Sequence, residues 1–149
     1  MHTVNTQFLN QDSMFSSRHL LFSHYDPHET CQKVSQIFQP HTLHITQKSN
    51  EFSASMHHIQ TGALSISRLE YGADVIIDPE QLRKFYLIQI PIKGYAEMEF
   101  AQQHFISYNK VASLISPDQP LRMRWKANAP QLILKINQQE FLQHCKHHM

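Results

Sequence analysis

Three glycines, two cysteines and no marked excess of either charge sign are the first constraints set by this 149-residue chain. So little glycine leaves scant room for phosphate-cradling loops, and P-loop, G-x-G-x-x-G and G-x-S-x-G patterns are absent. Cys31 and Cys145 are far apart in the chain and form neither a disulfide framework nor a metal-ligand spacing. No run approaches the roughly 18 apolar residues of a membrane span. Residues 1–10 lack the basic region and apolar run of a secretory signal. A cytoplasmic, reduced protein without a membrane partner is expected. The formal charge of +1 gives the chain as a whole no electrostatic footprint for nucleic acid.

What is present suffices for one domain. The length and the 41% hydrophobic content allow a real core. Histidine is abundant, at twelve residues. These titrate near pH ~6.5 when unperturbed, so solubility and self-association should respond to mild acid.

Residues 1–17 are polar with scattered apolar anchors and are expected to form a flexible arm. Residues 20–25 could make a short strand. Asp26-Pro27-His28-Glu29 then starts a helix, with Asp26 as N-cap and Pro27 at the first helical position. Cys31, Val34, Ile37 and Phe38 share one stripe, and Pro40 ends the helix. From Leu43 the period falls to two. Short apolar runs alternate with turn signals such as Thr61-Gly62, Tyr71-Gly72, Asp78-Pro79 and Lys93-Gly94 up to residue 136. About ten strands at this spacing indicate a sandwich or barrel rather than βαβ units. An amphipathic helix capped by Asn137 follows, with Phe141, Leu142 and Cys145 on one side. It carries no stop signal before Met149, which favours a truncated chain.

In the strand at 64–70, alternation puts Arg68 on the face of Leu64 and Ile66. If those two point into a barrel, Arg68 does too, and a buried guanidinium needs a partner. A ligand carboxylate would serve, through two parallel hydrogen bonds. So would Glu70, Glu97 or Glu99, or water at the barrel rim. The strand at 85–92 is apolar on both faces, as a central strand would be, and Gln89 is its strongly polar interior member. Tyr86, Gln89, Tyr95, Met123 and Trp125, with Met56 and Met98, would suit a pocket for a flat aromatic molecule; each would equally suit a packed core. In 121–125 the alternation puts Leu121, Met123 and Trp125 opposite Arg122 and Arg124. That basic strip reads as a solvated strand face.

The histidines raise the question of a metal. Adjacent strand residues point to opposite faces, so His57 and His58 cannot both ligate one ion from a regular strand. No H-x-H pair of the kind that metal-binding cupins carry is present. Neither a metal nor another cofactor is expected, and no nucleophile–base pair is identifiable. A binding function is therefore expected rather than catalysis.

Several motifs, taken in order, resemble one family. They are Pro40-His41-Thr42-Leu43, Arg68-Leu69-Glu70-Tyr71-Gly72-Ala73-Asp74-Val75 and Tyr86-Leu87-Ile88-Gln89-Ile90-Pro91-Ile92-Lys93-Gly94. The match continues through Ser116-Pro117-Asp118-Gln119-Pro120, Met123-Arg124-Trp125 and Leu132-Ile133-Leu134-Lys135-Ile136. Together they resemble the N-terminal sensor domain of AraC/XylS-type transcription regulators, in the branch that includes regulators of benzoate and related aromatic-acid catabolism. The resemblance implies a mainly β, cupin-like barrel of jelly-roll type that binds a small effector, flanked by a short N-terminal helix and a C-terminal helix. It implies a sensor barrel over 18–136, the start of a dimerisation or linker helix over 137–149, and a homodimer in the full-length protein. It also implies DNA binding only through a helix-turn-helix domain that this chain lacks. An aromatic carboxylate effector would give Arg68 its partner. The alternatives are a metal-dependent cupin enzyme and an oligomerisation module with a filled barrel.

Overall fold

The computed structural model describes residues 15–46 and 52–148. After a 3-10 turn over Ser17–His19 come strand β1 (Leu20–Tyr25), helix α1 (Pro27–Ile37) and strand β2 (Thr42–Ile45). Nine strands follow: β3 (Ala54–Thr61), β4 (Leu64–Glu70), β5 (Val75–Gln81), β6 (Phe85–Pro91), β7 (Tyr95–Phe100), β8 (Gln103–Tyr108), β9 (Ser113–Ile115), β10 (Pro120–Trp125) and β11 (Gln131–Asn137). Helix α2 (Gln138–His148) is the last described element. The strands form two antiparallel sheets, ordered β1-β3-β4-β11-β6-β9 and β2-β5-β10-β7-β8. This is the two-sheet jelly-roll barrel that the resemblance implies.

The helix starts where the sequence places it: Asp26 accepts a hydrogen bond from the Glu29 amide at 2.9 Å. The tip between β7 and β8 holds Ala101 and Gln102, both at positive φ, the backbone that a two-residue hairpin needs. Gly94 is required on two counts, its φ of +68° and a Cβ position only 2.9 Å from the Cβ of Ala129. One turn expectation is corrected. Asp78-Pro79 does not end its strand; β5 continues to Gln81, with a register shift against β10 between Leu121 and Met123. Proline is tolerated in a sheet at such a bulge.

The main core fills the space between the sheets, with Met56, Leu69, Tyr71, Val75, Leu87, Met98, Met123, Trp125 and Ile133 at its heart. Val34 of α1 is buried against it, with Ile37 and Phe38 packed at its edge. A second, smaller cluster covers the outer face of the six-stranded sheet, where Phe15, Ile90, Ile92 and Leu132 pack with Ile59, Ile66 and Leu134. That second layer decides the position of Arg68.

Candidate functional site

In β4 the buried residues are Ser65, Ser67 and Leu69, so these face the barrel interior. Leu64, Ile66 and Arg68 take the opposite parity and lie on the outer face. The inward placement of Arg68 is therefore corrected. Both faces of β4 are covered, and the two interior serines are small enough to let the sheets approach. Arg68 sits opposite His57 and Leu132 and pairs with Glu70 at 3.4 Å, with the Arg68 side chain 28% exposed. Tyr86 is also on the outer face, its ring 5.6 Å from that of Phe141 in α2. Tyr95 is 37% exposed, with the Lys126 ammonium 5.7 Å over its ring. Of the candidate residues, Gln89, Met123 and Trp125 are brought together between the sheets; Arg68, Tyr86 and Tyr95 are not.

Gln89, Met123 and Trp125 line a small pocket between the sheets beside α1, together with Phe38, His41 and Tyr71. Its volume is about 40 Å³. The walls are apolar, and two of the lining residues carry a buried polar atom that protein groups leave without a partner: Gln89 Oε1 and Trp125 Nε1. A buried unmatched acceptor or donor costs about 1–3 kcal/mol, so interiors rarely retain one. Burial also pushes the Tyr71 phenol far above its ordinary range, with the nearby Cys31 adding to the effect.

The segment after α1 contributes Gln39 and His41 to the lining of this pocket. Gln39 Nε2 donates to the carbonyls of Pro79 and Gln81 at 2.8 and 2.6 Å, which stitches the segment to β5. The His41 ring lies with Nδ1 3.0 Å from the Gln39 carbonyl, and burial lowers its pKa. The Cys31 thiol lies 3.8 Å from His41 Nε2 and donates to the His41 carbonyl at 3.5 Å. No sequence pattern announced that cysteine–histidine contact, because an α-helix and a loop bring the two together.

A further group that sequence reasoning missed is Lys135. It has inward parity in β11, opposite Ser65 and Leu87, and its ammonium donates to the Ile37 carbonyl at 2.6 Å. The same ammonium lies 4.9 Å from the Phe85 ring centre and 5.9 Å from that of Phe38. Burial lowers its pKa. His58, also inward, is lowered by burial and then by the Lys135 charge, and its Nδ1 lies 2.8 Å from Ser67 Oγ. Apolar neighbours on both sides of Lys135 hid the parity; only strand register reveals it.

Among the described residues, no three His, Cys, Asp or Glu side chains converge as a metal site. No helix among them is long and apolar enough to cross a membrane. They hold two α-helices, separated by β2 through β11, so these form no helix-turn-helix.

Two facing sheets, a small apolar pocket between them and a helix beside it define a cupin-like jelly-roll domain. The chain belongs to the AraC-binding-like domain family, whose model matches residues 30–147. It is similar to the XylDLEGF operon transcriptional activator 1 of Pseudomonas putida, with 23% identity over 124 residues. That match covers 83% of this chain but 37% of the activator, so the chain spans well under half the length of this relative. Among solved structures it resembles the AraC-like transcriptional activator CuxR, with a TM-score of 0.62 and 14% identity over 78% of this chain and 46% of that one. It also resembles KdgF from Halomonas sp., with a TM-score of 0.52 and 10% identity over 64% of this chain and 86% of that one. At such identities the structural likenesses speak for the fold alone.

Proposed function

We propose that this chain is the effector-sensing part of a cytoplasmic AraC/XylS-type transcription regulator, and that it holds a small molecule between its sheets beneath α1. The observation that carries this reading is that two residues lining this apolar pocket, Gln89 and Trp125, each keep a buried polar atom, Gln89 Oε1 and Trp125 Nε1, without a protein partner. A small molecule with a flat apolar body suits these walls, a polar substituent on it can partner either atom, and Met123 offers an adaptable contact. At about 40 Å³ the pocket holds little more than water, so binding requires α1 and Phe38 to move outward. That movement is the conformational difference a regulator needs, since a ligand shifts only equilibria between states it binds unequally.

DNA contact and homodimerisation belong, in this reading, to the full-length regulator. Support for a dimer contact at α2 comes from Phe141 and Leu142, which stay 42% and 47% exposed. The small pocket favours a second reading, an oligomerisation module with a filled barrel. One titration separates the two. Trp125 is the single tryptophan, so its emission reports on the pocket. A saturable change with a small acid or its neutral analogue supports a sensor; no change with any of them supports the filled barrel.

A further inference from the structure

Lys135 is an unusual residue to find with inward parity in an internal strand. Among the described residues it forms no ion pair, and its one hydrogen bond goes to a neutral carbonyl, that of Ile37. Beside it lies an open cleft of about 410 Å³, lined by Phe38, Arg83, Lys84, Phe85, Lys135 and Asn137 among others. Three cations face this cleft and its lining contains no acid. Two aromatic rings flank the ammonium, so the wall beside the charge is apolar. The cleft lies next to the inter-sheet pocket, with Phe38, Gln39 and Leu82 lining both.

We propose that this cleft is the charge-recognising mouth of the effector pocket: Lys135 takes the carboxylate of a small amphiphilic acid whose apolar body lies against Phe38 and Phe85. The inference rests on the effector reading above and adds to it the cleft and the residue that meet the charge of an acid, a role the resemblance would have given to Arg68. A carboxylate is a stronger acceptor than a carbonyl, and in this half-buried position the gain is larger than in open water. Arg83 and Lys84 add attraction from the exposed rim.

The cleft also touches the parts that would have to respond. Lys135 is the cation holding the C-terminal end of α1, so a carboxylate that captures it releases the Ile37 carbonyl. Asn137 caps α2 through the Glu140 amide at 3.0 Å, and the Gln138 amide donates to the Lys84 carbonyl at 3.0 Å. The same cleft therefore lies between the end of α1 and the start of α2.

The test is calorimetric titration of the 149-residue chain with benzoate, cyclohexanecarboxylate and hexanoate, against benzamide and acetate. At least one of the three larger acids should bind saturably and more tightly than either control. Lys135→Met should weaken that acid about tenfold or more and Lys135→Arg should restore most of the loss. The double variant Arg83→Gln/Lys84→Gln, which leaves the core untouched, should weaken it about threefold. Equal binding of the acid by a folded Lys135→Met variant overturns the proposal, as does a benzamide affinity equal to that of benzoate. If benzamide binds and the acids do not, the anion class fails while the effector reading stands. Binding by none of the five removes both.

Discussion

The Lys135 ammonium and the Ile37 carbonyl oxygen lie 2.6 Å apart, a bond that ties an internal strand of the six-stranded sheet to the last residue of α1. A helix end leaves its final carbonyls without intrahelical donors, and a cation there is favourable. Lys135→Met keeps most of the stem but deletes the donor. It should lower unfolding free energy by about 1–2 kcal/mol, since a charged hydrogen bond is partly offset by the cost of burying the ammonium. Hydrogen exchange should quicken selectively at the Phe38 amide, which donates to Val34 at the close of the helix. An unaltered exchange rate at that amide would show that Lys135 does not hold α1.

Gln89 points to the opposite sign. Its Oε1 is buried without a protein donor, so Gln89→Leu removes an uncompensated polar group at similar volume. The variant should be as stable as the parent or gain about 1 kcal/mol. It should also lose the response of Trp125 emission to ligand. A marked fall in the urea midpoint would mean that the amide has a structural role in the barrel instead.

Much of the architecture is legible in the sequence. Asp26-Pro27 announces α1 because capping chemistry is local, and the alternation of Leu121, Met123 and Trp125 marks the inner face of β10 because its other face is solvated. His57 and His58 do point to opposite faces, His57 across from Arg68 and His58 across from Ser67. In β4 the same logic fails. Alternation identifies two sets of residues, but Phe15, Ile59 and Leu132 bury the outer set as well, so hydropathy cannot say which set faces the barrel. Lys135 escapes notice for the same reason, flanked by Leu134 and Ile136 on a strand covered on both sides. Pro79 misleads because a bulge, a tertiary feature, lets the strand continue through it.

Arg68 provides a control on that geometry. Its pair with Glu70 is partly exposed on the outer face, and such pairs contribute at most about 1 kcal/mol. Arg68→Ala should leave acid binding unchanged and shift stability by no more than that. A selective loss of acid affinity, measured by the same titration, would return Arg68 to the binding site and displace Lys135.

Asp74 anchors the turn between β4 and β5 to the one between β10 and β11. Its carboxylate accepts from the Ala127 amide at 2.7 Å and from Lys126 Nζ at 3.0 Å. Burial pushes its pKa up, but the Ala127 hydrogen bond together with the Lys126 and Arg124 charges holds it below the ordinary carboxylate value. Asp74→Ala strands a backbone donor and should cost about 1–3 kcal/mol in urea unfolding. A variant as stable as the parent would show that the two turns are held together by packing alone.

The histidines set a separate, milder acid limit. Burial holds His41 and His58 below the 6.5 at which they protonate in the unfolded chain, with the Lys135 charge adding to the effect at His58. Between their folded values and 6.5 the unfolded state binds more protons, so stability rises with pH across that window and falls on acidification. Asp74 behaves differently. Its contribution is complete above 3.8 and is lost only as pH falls through its lower folded value. Thermal midpoints should therefore decline in two separate steps. His41→Gln/His58→Gln should flatten the first and leave the second, because neither substitute titrates. A parent midpoint that stays constant from about pH 7.5 to about pH 5.5 would exclude the histidine term.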